Sequence, residues 1–150
     1  MNNIEDCFRK GLLRNVEPSL TKSNESMKEA REWLSEARKN MAAEAYKSAI
    51  SSLYLAIFHS ARAVLFKDGV REKSHYCVGV YLEKYVEQGV LEEDWVLIFD
   101  RIRSVRHTDQ YSFKVHPSKE EVESGIDIAG KFVNRMETLL SGTGEQKDES

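Results

Sequence analysis

Apolar positions recur along this chain with the period of a helix and almost nowhere with the alternation of a half-buried strand. Leu20, Met27, Ala30, Leu34, Ala37 and Met41 fall seven, three, four, three and four residues apart. That is a narrow apolar seam on a helix starting at Ser19 or Thr21, with Glu29, Arg31, Glu32, Glu36, Arg38 and Lys39 on its wet side. The next stretch, Ala42 to Lys67, is the densest in the chain. Tyr46, Ala49, Ile50, Leu53, Tyr54, Ile57, Ala61, Val64 and Leu65 make one stripe, and Leu55, Ala56, Phe58 and Ala63 carry it around the cylinder. A helix apolar on most sides is one surrounded by others. At 1.5 Å per residue it would run about 39 Å, ending before Asp68-Gly69, where glycine suits a helix C-terminus.

The flanking segments follow the same period. Residues 3–14 predict a short helix, closed before Pro18. After a basic loop from Val70 to Lys73, Ser74 caps a helix whose apolar side is Tyr76, Val80, Tyr81, Tyr85 and Val86, ending at Gln88-Gly89. Glu92, Glu93 and Asp94 open another, buried through Trp95, Ile98, Phe99, Ile102 and Val105. The chain then turns irregular from His107 to Pro117. Ser118 and Glu121 form a capping box for the last helix, apolar at Val122, Ile126, Ala129, Phe132, Val133, Met136, Leu139 and Leu140. The expectation is an all-α, up-and-down bundle of about five helices around one long central helix, without strands. Residues 1–18 would be a flexible lead-in, 19–140 the bundle and 141–150 a disordered tail.

Composition narrows this picture only a little. A chain of 150 residues, 41% hydrophobic and 31% charged, is one ordinary globular domain. The net charge of −3 excludes wholesale coating of nucleic acid but not a local basic site. No unbroken run of about 18 apolar residues occurs, so no membrane span is expected, and the N-terminus lacks the apolar core of a signal peptide. A cytoplasmic setting follows as the expectation. Two cysteines, Cys7 and Cys77, form no metal-binding pattern and read as reduced thiols; neither a metal nor a cofactor is expected.

Three polar segments are candidates for chemistry. Arg101, Arg103 and Arg106 place three permanent cations within six residues, and His107 follows with a group that titrates near neutral pH. Guanidinium groups fit phosphate oxygens, and an adjacent histidine can move a proton from a ribose hydroxyl. Pairing of these arginines with Asp100 and Asp109 as surface charge is the blander alternative. His59 and Arg62 interrupt the apolar central helix. The histidine fits a structural role bonded to a carbonyl, Tyr54 or Tyr46, whereas an unpaired buried Arg62 would be costly. Finally, Lys73 and His75 lie in REKSH, which reads equally as an anion site at a helix start or as a polar connection. The P-loop, dinucleotide, nucleophile-elbow and zinc-protease motifs are absent.

The segment AYKSAISSLYLAIFHSARAVLFKDGVREKSH resembles HEPN domains (higher eukaryotes and prokaryotes nucleotide-binding). Tyr46, Ala49, Tyr54, Ala56, Phe58, His59, Ala61, Arg62, Leu65, Gly69, Lys73 and His75 carry the likeness, with Arg106, Asp109 and Tyr111 in the downstream VRHTDQYSF; it covers about residues 23–138. The resemblance implies a helical bundle that dimerises and binds nucleotide or RNA phosphate. In many relatives the partner is a minimal nucleotidyltransferase, in a two-component, toxin–antitoxin-like system. Others are metal-independent endoribonucleases with an Arg, four to six residues, then a His. Arg101 to His107 encloses five residues and meets that formula, with Arg103 as a second phosphate ligand. In the register of Arg106, however, the histidine position holds Tyr111, and a phenol of pKa about 10 is a poor base near neutrality. A binding module is therefore the leading expectation and the ribonuclease the alternative. The binding set is Arg106, Tyr111, Asp109, Arg62, His59, Lys73 and His75. The long helix is expected to supply the dimer surface.

Overall fold

The computed structural model describes residues 3–111 and 116–148, with side chains described in those ranges except at 107–111 and 143–148. The helices are α1 (Asn3–Arg9), α2 (Leu20–Ala42), α3 (Tyr46–Asp68), α4 (His75–Glu87), α5 (Glu93–Tyr111) and α6 (Lys119–Asp148). The bundle is all-α apart from one small antiparallel ribbon, which the sequence did not lead one to expect. Its strands are β1 (Leu13–Asn15) and β2 (Val70–Glu72), in register Leu13↔Glu72, Arg14↔Arg71 and Asn15↔Val70.

Helix α3 is the axis of the bundle. Fourteen of its residues are buried, Tyr54, Ala56, Ile57 and Leu65 completely. Serines allow α2 close to it: Ser23 Oγ donates to the Ala63 carbonyl at 2.8 Å and Ser26 Oγ to the His59 carbonyl at 2.7 Å. On the α6 side, a Cβ added at Gly125 would stand 2.9 Å from Leu53 Cδ2, so a larger residue would push these helices apart. By length and hydropathy alone α3 is long and apolar enough to cross a bilayer, but 78% of its most apolar window is buried inside the protein. The partly exposed strip of α3 is Ser51, Leu55, His59 and Arg62. Its apolar surface is thus covered within the monomer, and the expected surplus for a dimer face on this helix is not found.

The boundary between α2 and α3 corrects the expected Ala42 start. Glu44 N–H donates to Met41 O at 2.9 Å and Ala45 N–H to Asn40 O at 2.8 Å, the paired bonds of a Schellman ending. The left-handed residue of this turn is Glu44, at φ 62°. The same bond pattern closes α1 through Gly11 and α4 through Gly89, where glycine supplies the conformation. With glutamate in that position the turn carries no residue signature, and the two helices read as nearly continuous.

The N-terminal segment pairs and packs with the rest of the fold. The turn at Gly11 brings β1 back along β2, burying Leu13 at 1% exposure, and α1 lies against α4. There Cys7 and Cys77, expected as free thiols, form a disulfide with Cα atoms 6.0 Å apart. Three further differences concern solvent. Leu20 is 65% exposed, Tyr76 48% and Val105 45%, although all three fall on predicted apolar faces. Helix α5 continues through His107 to Tyr111, where an irregular segment was expected, and α6 runs past Leu140 to Asp148. The capping box is present as read: Ser118 Oγ accepts from Glu121 N–H at 3.1 Å, and Glu121 Oε1 from Ser118 N–H at 2.9 Å.

Candidate functional site

The three segments singled out separately in the sequence converge on one place. The middle of α3 supplies Tyr54, Phe58, His59 and Arg62, β2 supplies Arg71 and Glu72, α4 begins with His75 and Tyr76, and α5 adds Arg103 and Arg106. Tyr54 anchors the group. It is fully buried, and its hydroxyl lies 2.8 Å from His75 Nδ1. Burial raises the phenol's pKa well above its usual value, against the opposing pull of Arg106 and Arg103. The hydroxyl therefore keeps its proton, and the direction of its bond with Nδ1 follows the tautomer of the neutral ring. The His75 ring stacks on Phe58 with centroids 4.0 Å apart, which fixes its plane.

Arginines surround these rings. The Arg106 guanidinium carbon lies 5.2 Å from the centre of the Tyr54 ring, and Arg103 is placed similarly over Tyr76 at 5.5 Å. Arg103 also donates to Asp100 Oδ1 at 2.8 Å, so part of the surface-charge alternative holds for it. Arg106 differs: its Nε is the one buried side-chain polar atom without a hydrogen-bond partner among the described residues. A buried guanidinium donor left empty is unfavourable unless something fills it.

Arg62 is not unpaired. Its Nε donates to Glu72 Oε1 at 3.1 Å, and its guanidinium sits 4.9 Å from the centre of the Phe66 ring. Arg71 Nε is 4.0 Å from the same carboxylate oxygen. Glu72 thus serves two cations, with its side chain only 10% exposed. His59 meets Phe58 in a T-shaped contact, with centroids 5.3 Å apart, and lines a cleft of about 310 Å³ with Arg62, Arg71, Lys22 and Glu29. No bond joins its ring to Tyr54 or Tyr46; the tyrosine's histidine partner is His75. Both histidines titrate below their ordinary value. Burial is the main cause for each, joined at His59 by the charge of Arg62 and at His75 by Arg106, Arg62 and Arg103, with Glu72 opposing.

The remaining candidates divide. Lys73 is exposed beside the cluster, its backbone N–H bonded to Leu12 O at 2.8 Å. Arg101 is not part of the group. It lies on another side of α5, in a groove of about 510 Å³ with Leu53, Ile102, His116 and Gly125. His107, Asp109 and Tyr111 belong to the last turns of α5, but their side chains lie outside the described residues. The sequence reading did not find Glu72 as the partner of Arg62, nor Tyr76 as an exposed ring. Among the described residues no cluster of His, Cys, Asp or Glu fits a metal ion.

The arrangement suits anion recognition at its Arg103–Arg106 end, where both guanidinium groups lie over tyrosine rings and Asp100 pairs with Arg103. Arg62 and Arg71, by contrast, already have Glu72 beside them and Glu29 in their cleft. Comparison with known proteins agrees with the fold. The chain is 34% identical over 115 residues to a protein of Methanocaldococcus jannaschii named as a candidate toxin, a match covering 74% of this chain and 83% of that one. It is 27% identical over 112 residues to a UPF0332 protein of Thermotoga maritima, covering 74% and 85% respectively. The model of the HEPN domain matches residues 23–139, and the chain belongs to that family.

Proposed function

We propose that this protein is a HEPN interaction module that binds nucleotide or RNA phosphate at the Arg103–Arg106 face. The observation that carries the reading is the empty Nε donor of Arg106, held over Tyr54 beside His75. The Arg106 side chain is itself partly exposed, so a phosphate oxygen can pair with its guanidinium, and the neighbouring arginine and the histidine add charge and a further N–H. Family membership and the toxin designation of one relative support a two-component, toxin–antitoxin-like role, for which a minimal nucleotidyltransferase is the proposed partner. Copurification of this chain with the product of an adjacent nucleotidyltransferase gene tests that pairing.

Self-association is part of the proposal, with its surface on α5 rather than α3. Leu97, Arg101 and Val105 are spaced four apart, and the two apolar members are 60% and 45% exposed. Sedimentation at micromolar concentration should give a dimer, and Leu97→Asp should give a monomer.

A second reading, metal-independent RNA cleavage, draws support from the helical path of α5. Arg103 and His107 stand one turn apart on that helix, whereas the six-residue step from Arg101 to His107 puts those two on different sides. RNA binding and cleavage by wild type, Arg106→Ala and His107→Ala separate the readings. A binding module loses affinity at least ten-fold in Arg106→Ala and cleaves nothing. A ribonuclease cleaves without metal and stops in His107→Ala. Unchanged phosphate and RNA binding in Arg106→Ala would leave the cluster as surface charge.

A further inference from the structure

Tyr76 differs from the other tyrosines at this end of the bundle. Tyr54 is bonded to His75, and Tyr81 and Tyr85 both donate to the Asp68 carboxylate. Tyr76 has no hydrogen-bond partner among the described residues and leaves 48% of its surface in solvent. It occupies the second residue of α4, directly after His75, which is also exposed. Both rings are held in place from beneath or beside: His75 by its stack on Phe58, Tyr76 by the Arg103 guanidinium. Arg103 is itself fixed by two hydrogen bonds to Asp100, at 3.2 and 2.8 Å.

Phosphate binding gives no reason for an exposed aromatic ring, since guanidinium groups suffice for it. A nucleobase does. Every base has an apolar π-face, and open single strands are gripped by stacking those faces on tyrosine, histidine or arginine planes beside the cations that hold the backbone. Bases in a duplex are already stacked and offer no such face.

We propose that Tyr76 is a stacking platform for an unpaired base and that the site takes single-stranded RNA. Arg103 braces the ring on one side, the base lies on its exposed side, and the neighbouring phosphate reaches Arg106. The inference rests on the phosphate-binding reading above and adds the class of nucleic acid.

The test uses the full chain and fluorescence anisotropy with a labelled single-stranded oligoribonucleotide of about ten nucleotides. The comparison ligands are its duplex and an abasic strand of equal length. Stacking of one base predicts that Tyr76→Ala weakens binding of the single strand roughly ten-fold or more, from the usual worth of such a contact. Tyr76→Phe keeps the ring and should bind as wild type does, which separates stacking from any effect of the hydroxyl. The abasic strand should bind wild type and Tyr76→Ala alike, and the duplex should bind wild type more weakly than the single strand. If Tyr76→Ala binds the single strand like wild type while Arg106→Ala does not, the platform is overturned and phosphate binding stands. Equal binding of duplex and single strand by wild type also overturns it. If wild type binds none of the three, both readings fall.

Discussion

Tyr54 Oη and His75 Nδ1 stand 2.8 Å apart, and this bond ties the centre of the core helix to the first residue of α4. It turns a buried phenol into the support of an exposed imidazole. Tyr54→Phe keeps the ring but removes the hydroxyl partner of His75. The variant should lose about 1 kcal/mol of stability, the usual net worth of such a bond. Chemical denaturation measures the loss.

The lowered pKa values of His59 and His75 set a pH dependence. In the unfolded chain both titrate near 6.5, whereas in the folded protein both hold their protons less tightly. The unfolded state therefore binds more protons in the window just below 6.5, and stability falls as pH drops through it. Above that window both states carry neutral rings and the effect vanishes. Melting temperature should decline between pH 7 and pH 5, less steeply in His75→Gln. An anion beside His75 favours its charged form, so phosphate affinity should rise from pH 7 to pH 6.

Glu44 is the left-handed residue of a helix ending that elsewhere uses glycine. A side chain in this conformation costs roughly 1–2 kcal/mol relative to one in the right-handed region. Part of that gain is offset by the greater freedom of glycine when unfolded. Glu44→Gly should thus stabilise the protein by about 0.5–1 kcal/mol. A loss of stability would mean that the glutamate side chain makes a compensating contact.

Reduction of Cys7–Cys77 should be the largest single destabilisation available without touching the core. The two residues are 70 apart in sequence, and loop-closure entropy on that scale is worth about 4 kcal/mol. A melting temperature lower by roughly 10 °C in reductant is expected. Both cysteines are almost fully buried, at 3% and 1% exposure, so reduction of the folded protein should be slow and should accelerate in mild denaturant.

Much of this architecture is legible in the sequence because helix period and caps are local. Ser74, the Ser118–Glu121 box and the stripe around Tyr54 are all read within one or two turns. The missed features each depend on residues far apart in the chain. The ribbon joins Leu13 to Glu72, the disulfide joins Cys7 to Cys77, and Arg62 finds its carboxylate across the turn at Gly69. Local signals also failed where an unusual residue takes a standard place, as Glu44 does. In the candidate site the cationic residue types were visible, but their grouping was not. His59 and Arg62 looked separate from Arg103 and Arg106 until Tyr54 and Phe58 joined them.

The disulfide has one more consequence. It makes a closed covalent ring of residues 7–77, with α5 and α6 as a linear tail outside it. Arg62, Glu72 and His75 belong to the ring, and Arg103 and Arg106 to the tail. A peptide bond cut anywhere within the ring leaves a nicked molecule still in one piece, with every member of the basic cluster attached. The same cut in the reduced chain yields two separable fragments, and those distal to it would have to be retained by packing alone.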